Sequence, residues 1–224
     1  SQPGFRGKVG AVATWSAFRR ILNEERAGID VIDGWDEPFP GAPARDAKRT
    51  TLNALYRTGA RLWPDVAFDA PMQLVAKEYI RSHGPRLLFV GYGETDEWAH
   101  ARRYDLAMRS AHQVDAFVAD LWSYMQGIKQ YRGRTTFIIT TDHGRGSGAD
   151  DWTSHGENVD GAEDIWMAII GPDTPPLGER LGGERVSQSQ VAATIAALLG
   201  KEAPYLAFSP RSAPALREAV SRPR

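Results

Sequence analysis

Four short runs of the chain are apolar at nearly every position: Lys8 to Ala13, Arg86 to Tyr92, Thr135 to Thr141 and Ile165 to Gly171. Unbroken aliphatic and β-branched runs of this length are what a strand covered on both faces requires. The segments between them carry helical patterns. Trp15 to Glu25 follows the first run, and Arg45 to Leu62 follows a turn rich in Pro and Gly (Pro38, Pro40, Gly41, Pro43). Pro71 to Arg81 has Asp69 placed as its cap. Ala99 to Gln126 is the longest, with Leu106, Ala107, Val114, Phe117, Val118, Leu121 and Trp122 as its apolar positions. Val186 to Leu199 ends at Gly200, a usual helix stop. Alternating strands and helices predict an α/β fold, with a mainly parallel sheet sandwiched between helices. The pattern assigns residues 1–209 to one α/β domain and 210–224 to a tail.

Composition narrows the function classes. At 224 residues, 42% hydrophobic and 25% charged, the chain can bury a sizeable core. The formal charge of −1 gives no basic excess for nucleic acid. Cysteine is absent, which removes disulfides, thiolate metal sites and cysteine nucleophiles. No apolar run approaches a membrane span. Neither a Gly-x-Ser-x-Gly elbow nor a Walker motif occurs, and Gly91-Tyr92-Gly93 lacks the third glycine of a dinucleotide fingerprint.

In parallel sheets, ligands sit beyond the carboxyl ends of the strands. Three of the five histidines fall near such ends, each beside acidic residues. Asp96 and His100 are four apart, so a helical turn puts them on one face, where they can share a cation. An N-cap Asp with a surface His is the plainer alternative. Asp142 and His143 end the third apolar run, next to Gly144 and Gly146, whose freedom lets both side chains converge; a polar turn tip is the alternative. His155 lies twelve residues after His143, across a Gly/Asp-rich loop. Two carboxylates and three imidazoles form a mixed oxygen/nitrogen ligand set suited to zinc, with manganese or iron acceptable. Five ligands exceed one tetrahedral zinc, so two divalent ions are expected, a clamp suited to in-line phosphoryl or sulfuryl transfer. Arg145 and Asn158 are candidates for binding the substrate anion. Alternatively, Arg145 pairs with Asp150 or Asp151, and Asn158 caps the loop. His112 reads as part of a solvated helix face, and His83 as a helix end.

Asp96-x-x-x-His100, then Thr141-Asp142-His143-Gly144 after an apolar strand, then His155, resembles the alkaline phosphatase superfamily, in particular its phosphodiesterase-like and phosphoglyceromutase-like members. The twelve-residue step from His143 to His155 is similar to the mutase branch. Residues 8–23 and the helix from Ser189 to Ala196 are similar to bacterial alkaline phosphatase-like proteins. The resemblance implies that Asp96, His100 and His155 hold one metal, and Asp142 and His143 the other. It implies hydrolysis of a small phosphate or sulfate ester through a Ser/Thr nucleophile in a preceding segment, and an exported, periplasmic setting. A phosphomutase or phosphotransferase on the same scaffold, or a non-catalytic metal- or anion-binding domain, is the alternative.

Overall fold

The computed structural model describes residues 3–182 and 185–220, which fall into two compact units, Ser1–Tyr124 and Met125–Arg224. In the first unit, β1 (Val9–Ala13) is flanked by β2 (Asp30–Asp33) and β3 (Leu87–Gly91), both parallel to it. The fold is therefore mixed α/β, with a small parallel sheet and helices. Ala11, Val12 and Ala13 are buried, as the central strand requires. Along β3, by contrast, Phe89 is exposed, because β3 is an edge of this sheet among the described residues.

The core forms where α3 (Ala47–Thr58) and α4 (Asp69–His83), in chain order the third and fourth helices, meet the sheet. Val12, Phe39, Leu52, Tyr56, Ala67, Met72, Val75, Ala76 and Tyr79 pack together there. Gly10 makes this packing possible: a Cβ at that position would lie 2.3 Å from the Tyr79 hydroxyl. Tyr79 crosses the strand at that point and donates to Asp30 at 3.0 Å, tying α4 to β2. The buried Glu78 carboxylate gathers Arg49, Arg81 and Lys48 at 2.9, 2.7 and 3.2 Å. Burial opposes its ionisation, but hydrogen bonds from Arg81, Arg49 and Lys48 pull its pKa down to about 2.

The helices differ in detail from the pattern expected. Trp15 to Glu25 contains two short helices, α1 (Phe18–Ile21) and α2 (Glu24–Ala27), divided by Asn23 at φ 50°. The long segment beginning at Ala99 is likewise divided. α5 (Glu94–His100) ends before Arg102, whose φ of 58° turns the chain into α6 (Tyr104–Gly127). Asp69 does not cap α4. Phe68 holds the cap position, and Asp69 is the first residue of the helix, its carboxylate committed elsewhere. His83 ends α4 as expected, followed by Gly84 in the left-handed region.

In the second unit, β4 (Phe137–Thr140) pairs with β5 (Met167–Ile170) in an antiparallel ribbon. The expected parallel arrangement fails here because an apolar run carries no information about strand direction. The 26 residues between the strands form loops and turns rather than a crossover helix. A two-stranded ribbon also leaves its strands half-buried. α7 (Val191–Leu198) stops just before Gly200, φ 65°, the expected stop, but it begins at Val191 after a 3₁₀ turn at Gln188–Gln190 rather than at Val186; α8 (Glu202–Phe208) follows. In the tail, residues 210–220 include a 3₁₀ turn at Arg217–Ala219, while Arg222, Pro223 and Arg224 lie outside the described residues. No described helix is long and apolar enough to cross a membrane.

Candidate functional site

In the first unit, the chain leaves β3 at Gly91 and reaches α5 through Tyr92 and Gly93. Gly93 passes so close to β1 that a Cβ would lie 2.8 Å from Thr14 Oγ1 and 3.0 Å from Val66 Cγ1. The start of α5 is then held from outside the helix. Asp69 Oδ1 accepts from the amides of Gly93 (2.9 Å) and Glu94 (3.4 Å), and Glu94 Oε1 accepts from the amide of Asp69 (2.7 Å). Trp98 donates to Glu94 Oε2 at 3.4 Å and packs edge-on against Trp63.

With α5 fixed in this way, Asp96 and His100 occupy one face, Oδ2 and Nε2 3.3 Å apart, both partly accessible. Gly93 holds the cap position, so Asp96 is not the N-cap that the plainer reading of this pair required. The surroundings are acidic. The Glu97 carboxyl is raised above its ordinary value by burial and by the charges of Asp96 and Asp65, against a smaller opposing effect of His100.

In the second unit, β4 gives way to Thr141-Asp142-His143. Two glycines shape the loop beyond it, and both are needed for close backbone approach rather than for a left-handed conformation. A Cβ on Gly144 would lie 2.3 Å from the carbonyl oxygens of Asp164 and Gly161; one on Gly146 would lie 2.4 Å from Asp151 Cβ. Gly144 donates to Ala162 O at 2.7 Å and Gly146 to Ser154 O at 3.3 Å, so the loop folds back on itself. A 3₁₀ turn at Asp151–Thr153, with Thr153 buried, completes the reversal. His155 thereby returns to stack on His143, ring centroids 3.7 Å apart and planes within 16°. The Gly/Asp-rich loop thus brings the two histidines together, as the sequence pattern requires.

His143 Nδ1 lies 2.8 Å from Gly144 O. A carbonyl only accepts, so Nδ1 carries the proton in this bond. A backbone carbonyl fixing one ring nitrogen while the other binds metal is the usual support of a histidine ligand. His143 Nε2 lies 3.7 Å from Asp142 Oδ2. Two ligands on a tetrahedral zinc, each at its ordinary bond length, sit roughly 3.4 Å apart. The spacings of 3.3 Å in the Asp96–His100 pair and 3.7 Å in the Asp142–His143 pair are of that order, and equally of the order of a carboxylate–imidazole ion pair.

The remaining candidates are placed less tellingly. Arg145 Nη1 reaches Trp152 O at 3.5 Å, a long contact within the loop. Asn158 is exposed in the turn closed by the Val159 amide on Gly156 O. His112 is exposed on α6, as a solvated face requires.

Two supporting residues escape the sequence pattern. Asp69 reads there only as a cap of its own helix. Gln188 Nε2 donates to the carbonyls of both Thr141 (2.8 Å) and Asp142 (2.6 Å), clamping the backbone that presents Asp142 and His143. The signal near Gln188 is Ser187-x-x-Gln190, a capping box that the structure forms and that fixes where the turn before α7 begins.

Compared with protein-family models, with curated proteins and with solved structures, the chain finds no match. What the site does is therefore argued from its donors.

Proposed function

We propose that this chain supplies the metal-binding residues of a hydrolase of small phosphate or sulfate esters. Asp96 and His100 would serve one divalent cation, and Asp142 and His143, on which His155 stacks, a second, with zinc the first choice and manganese the alternative. The observation that carries the reading is the setting of His143: its Nδ1 lies 2.8 Å from Gly144 O, its Nε2 lies 3.7 Å from the Asp142 carboxylate, and its ring stacks on His155. Asp96 and His100 repeat the carboxylate–imidazole pairing on α5. Bound cations supply Lewis acidity, offsetting charge on the ester oxygens and acidifying the attacking hydroxyl.

The chain's own residues bind and orient. The Gly144 and Gln188 contacts fix the Asp142–His143 pair, and α5 fixes the Asp96–His100 pair. Arg145 is the planar cationic donor suited to the substrate anion, with Asn158 as a neutral one. In this protein, Asp142→Ala and His143→Ala should each lose metal and ester hydrolysis together. Full turnover with metal content intact in either variant rejects the assignment. The twelve-residue step from His143 to His155 favours a phosphomutase as the second reading; release of free phosphate without any isomerised sugar phosphate removes it.

A further inference from the structure

We infer that Asp69 is a positioning residue that sets the helix carrying Asp96 and His100, an inference that rests on the metal-binding reading of those two donors. The first amides of any helix lack intrahelical partners. Neither α4 nor α5 meets this need with a side chain at its own cap position. Instead, each start is satisfied by the other's first residue. Asp69 accepts from Gly93 and Glu94 at the start of α5, and Glu94 accepts from Asp69 at the start of α4.

This exchange joins residues 25 apart in the chain, so it transmits the position of α4 to α5. α4 is anchored in the core by Met72, Val75, Ala76 and Tyr79. α5 is only seven residues long, with Ala99 its buried residue. A helix that short has little stability of its own, so its start must be held by tertiary contacts. Asp96 lies two residues and His100 six residues beyond Glu94, within the segment whose start Asp69 holds.

The choice of a carboxylate at position 69 is costly. Asp69 is 2% exposed, and the titratable groups facing it are Tyr56 of α3, Tyr92 after β3 and Glu94 of α5, none of them a cation. Burial, with Glu94 adding repulsion, moves its pKa to about 7 despite the two amide donors. An acceptor oxygen is nonetheless retained where it meets the amides of α5.

The test compares Asp69→Ala with Asp69→Asn in the full chain, by hydrogen exchange of residues 94–100 and by zinc titration, with Asp96→Ala and the Asp69→Ala/Asp96→Ala double variant alongside. Asp69→Ala should speed exchange in α5 and weaken zinc binding by about tenfold or more, the range seen when support of a ligand is removed. Asp69→Asn keeps an oxygen that accepts the same amides, and should restore both. The double variant should lose less zinc affinity than the sum of the two single losses, because Asp69 acts through Asp96 as well as His100. Unchanged α5 exchange in Asp69→Ala, an Asp69→Asn variant no better than Asp69→Ala, or additive loss in the double variant would overturn the inference. If the wild-type chain binds no zinc, the metal reading fails by itself, and α5 exchange in the Ala and Asn variants still decides whether Asp69 positions the helix.

Discussion

Asp69→Asn should stabilise the folded chain at alkaline pH and leave it unchanged in acid. In the folded state the Asp69 carboxyl titrates at about 7, raised by burial and by Glu94; in the unfolded chain it titrates near 4. Between those values the unfolded state releases a proton that the folded state keeps, so this group lowers wild-type stability as pH rises. The slope is about 1.4 kcal/mol per pH unit, and the full effect above pH 7 is at most about 4 kcal/mol. An Asn at position 69 carries no charge to bury and still offers an oxygen to the Gly93 and Glu94 amides. Tyr56 and Tyr92, whose hydroxyls are pushed up by burial, stay neutral across this range. Urea denaturation of both proteins between pH 4 and 8.5, with a chelator present so that metal affinity plays no part, reads the difference directly. The Asn variant should draw level near pH 4, gain steadily to pH 7 and hold its advantage beyond. A stability difference that does not vary with pH, or a variant less stable than wild type at pH 8, refutes the reasoning.

Three further outcomes rest on single contacts. Gly144→Ala puts a methyl group against two backbone oxygens; it should cost about 1–3 kcal/mol in urea denaturation and weaken zinc binding, because the strain falls on His143. Gln188→Ala removes the clamp on Thr141 and Asp142; calorimetric zinc affinity should drop by about tenfold while stability changes by no more than about 1.5 kcal/mol. Glu78→Gln should cost about 1–3 kcal/mol at neutral pH, a figure held down by the accessibility of Lys48 and Arg81. Glu78 is depressed in the folded state, so its contribution is present above about pH 4.5 and lost as pH falls through about 2; the deficit of the Gln variant should vanish over the same interval.

The strands legible in the sequence are those whose apolar run is continuous. β2 escapes notice because Asp30-Val31-Ile32-Asp33 is only four residues long and is charged at both ends; its two aspartates bond to Tyr79 and Arg19. The ribbon of β4 and β5 defeats the parallel expectation because hydrophobicity specifies burial but not strand direction. The break between α5 and α6 has no Gly or Pro to mark it; Arg102 adopts the turn conformation that residues of its type rarely take. At the candidate site, the four-residue spacing of Asp96 and His100 is legible because helical periodicity alone places them together. The return of His155 to His143 is legible from glycines, although those glycines serve close packing rather than unusual dihedrals. The Nδ1 bond of His143, the clamp by Gln188 and the exchange of caps between Asp69 and Glu94 are not legible. Each depends on contacts between a side chain and a backbone group whose position only the folded chain defines.

Metal content bears most directly on the central claim. After equilibration with zinc and removal of free ion, elemental analysis of the chain should find two zinc ions per molecule, with clear losses in His143→Ala, His155→Ala and His100→Ala. A chain that retains no zinc, or one whose zinc content is the same with any of these histidines replaced, contradicts it.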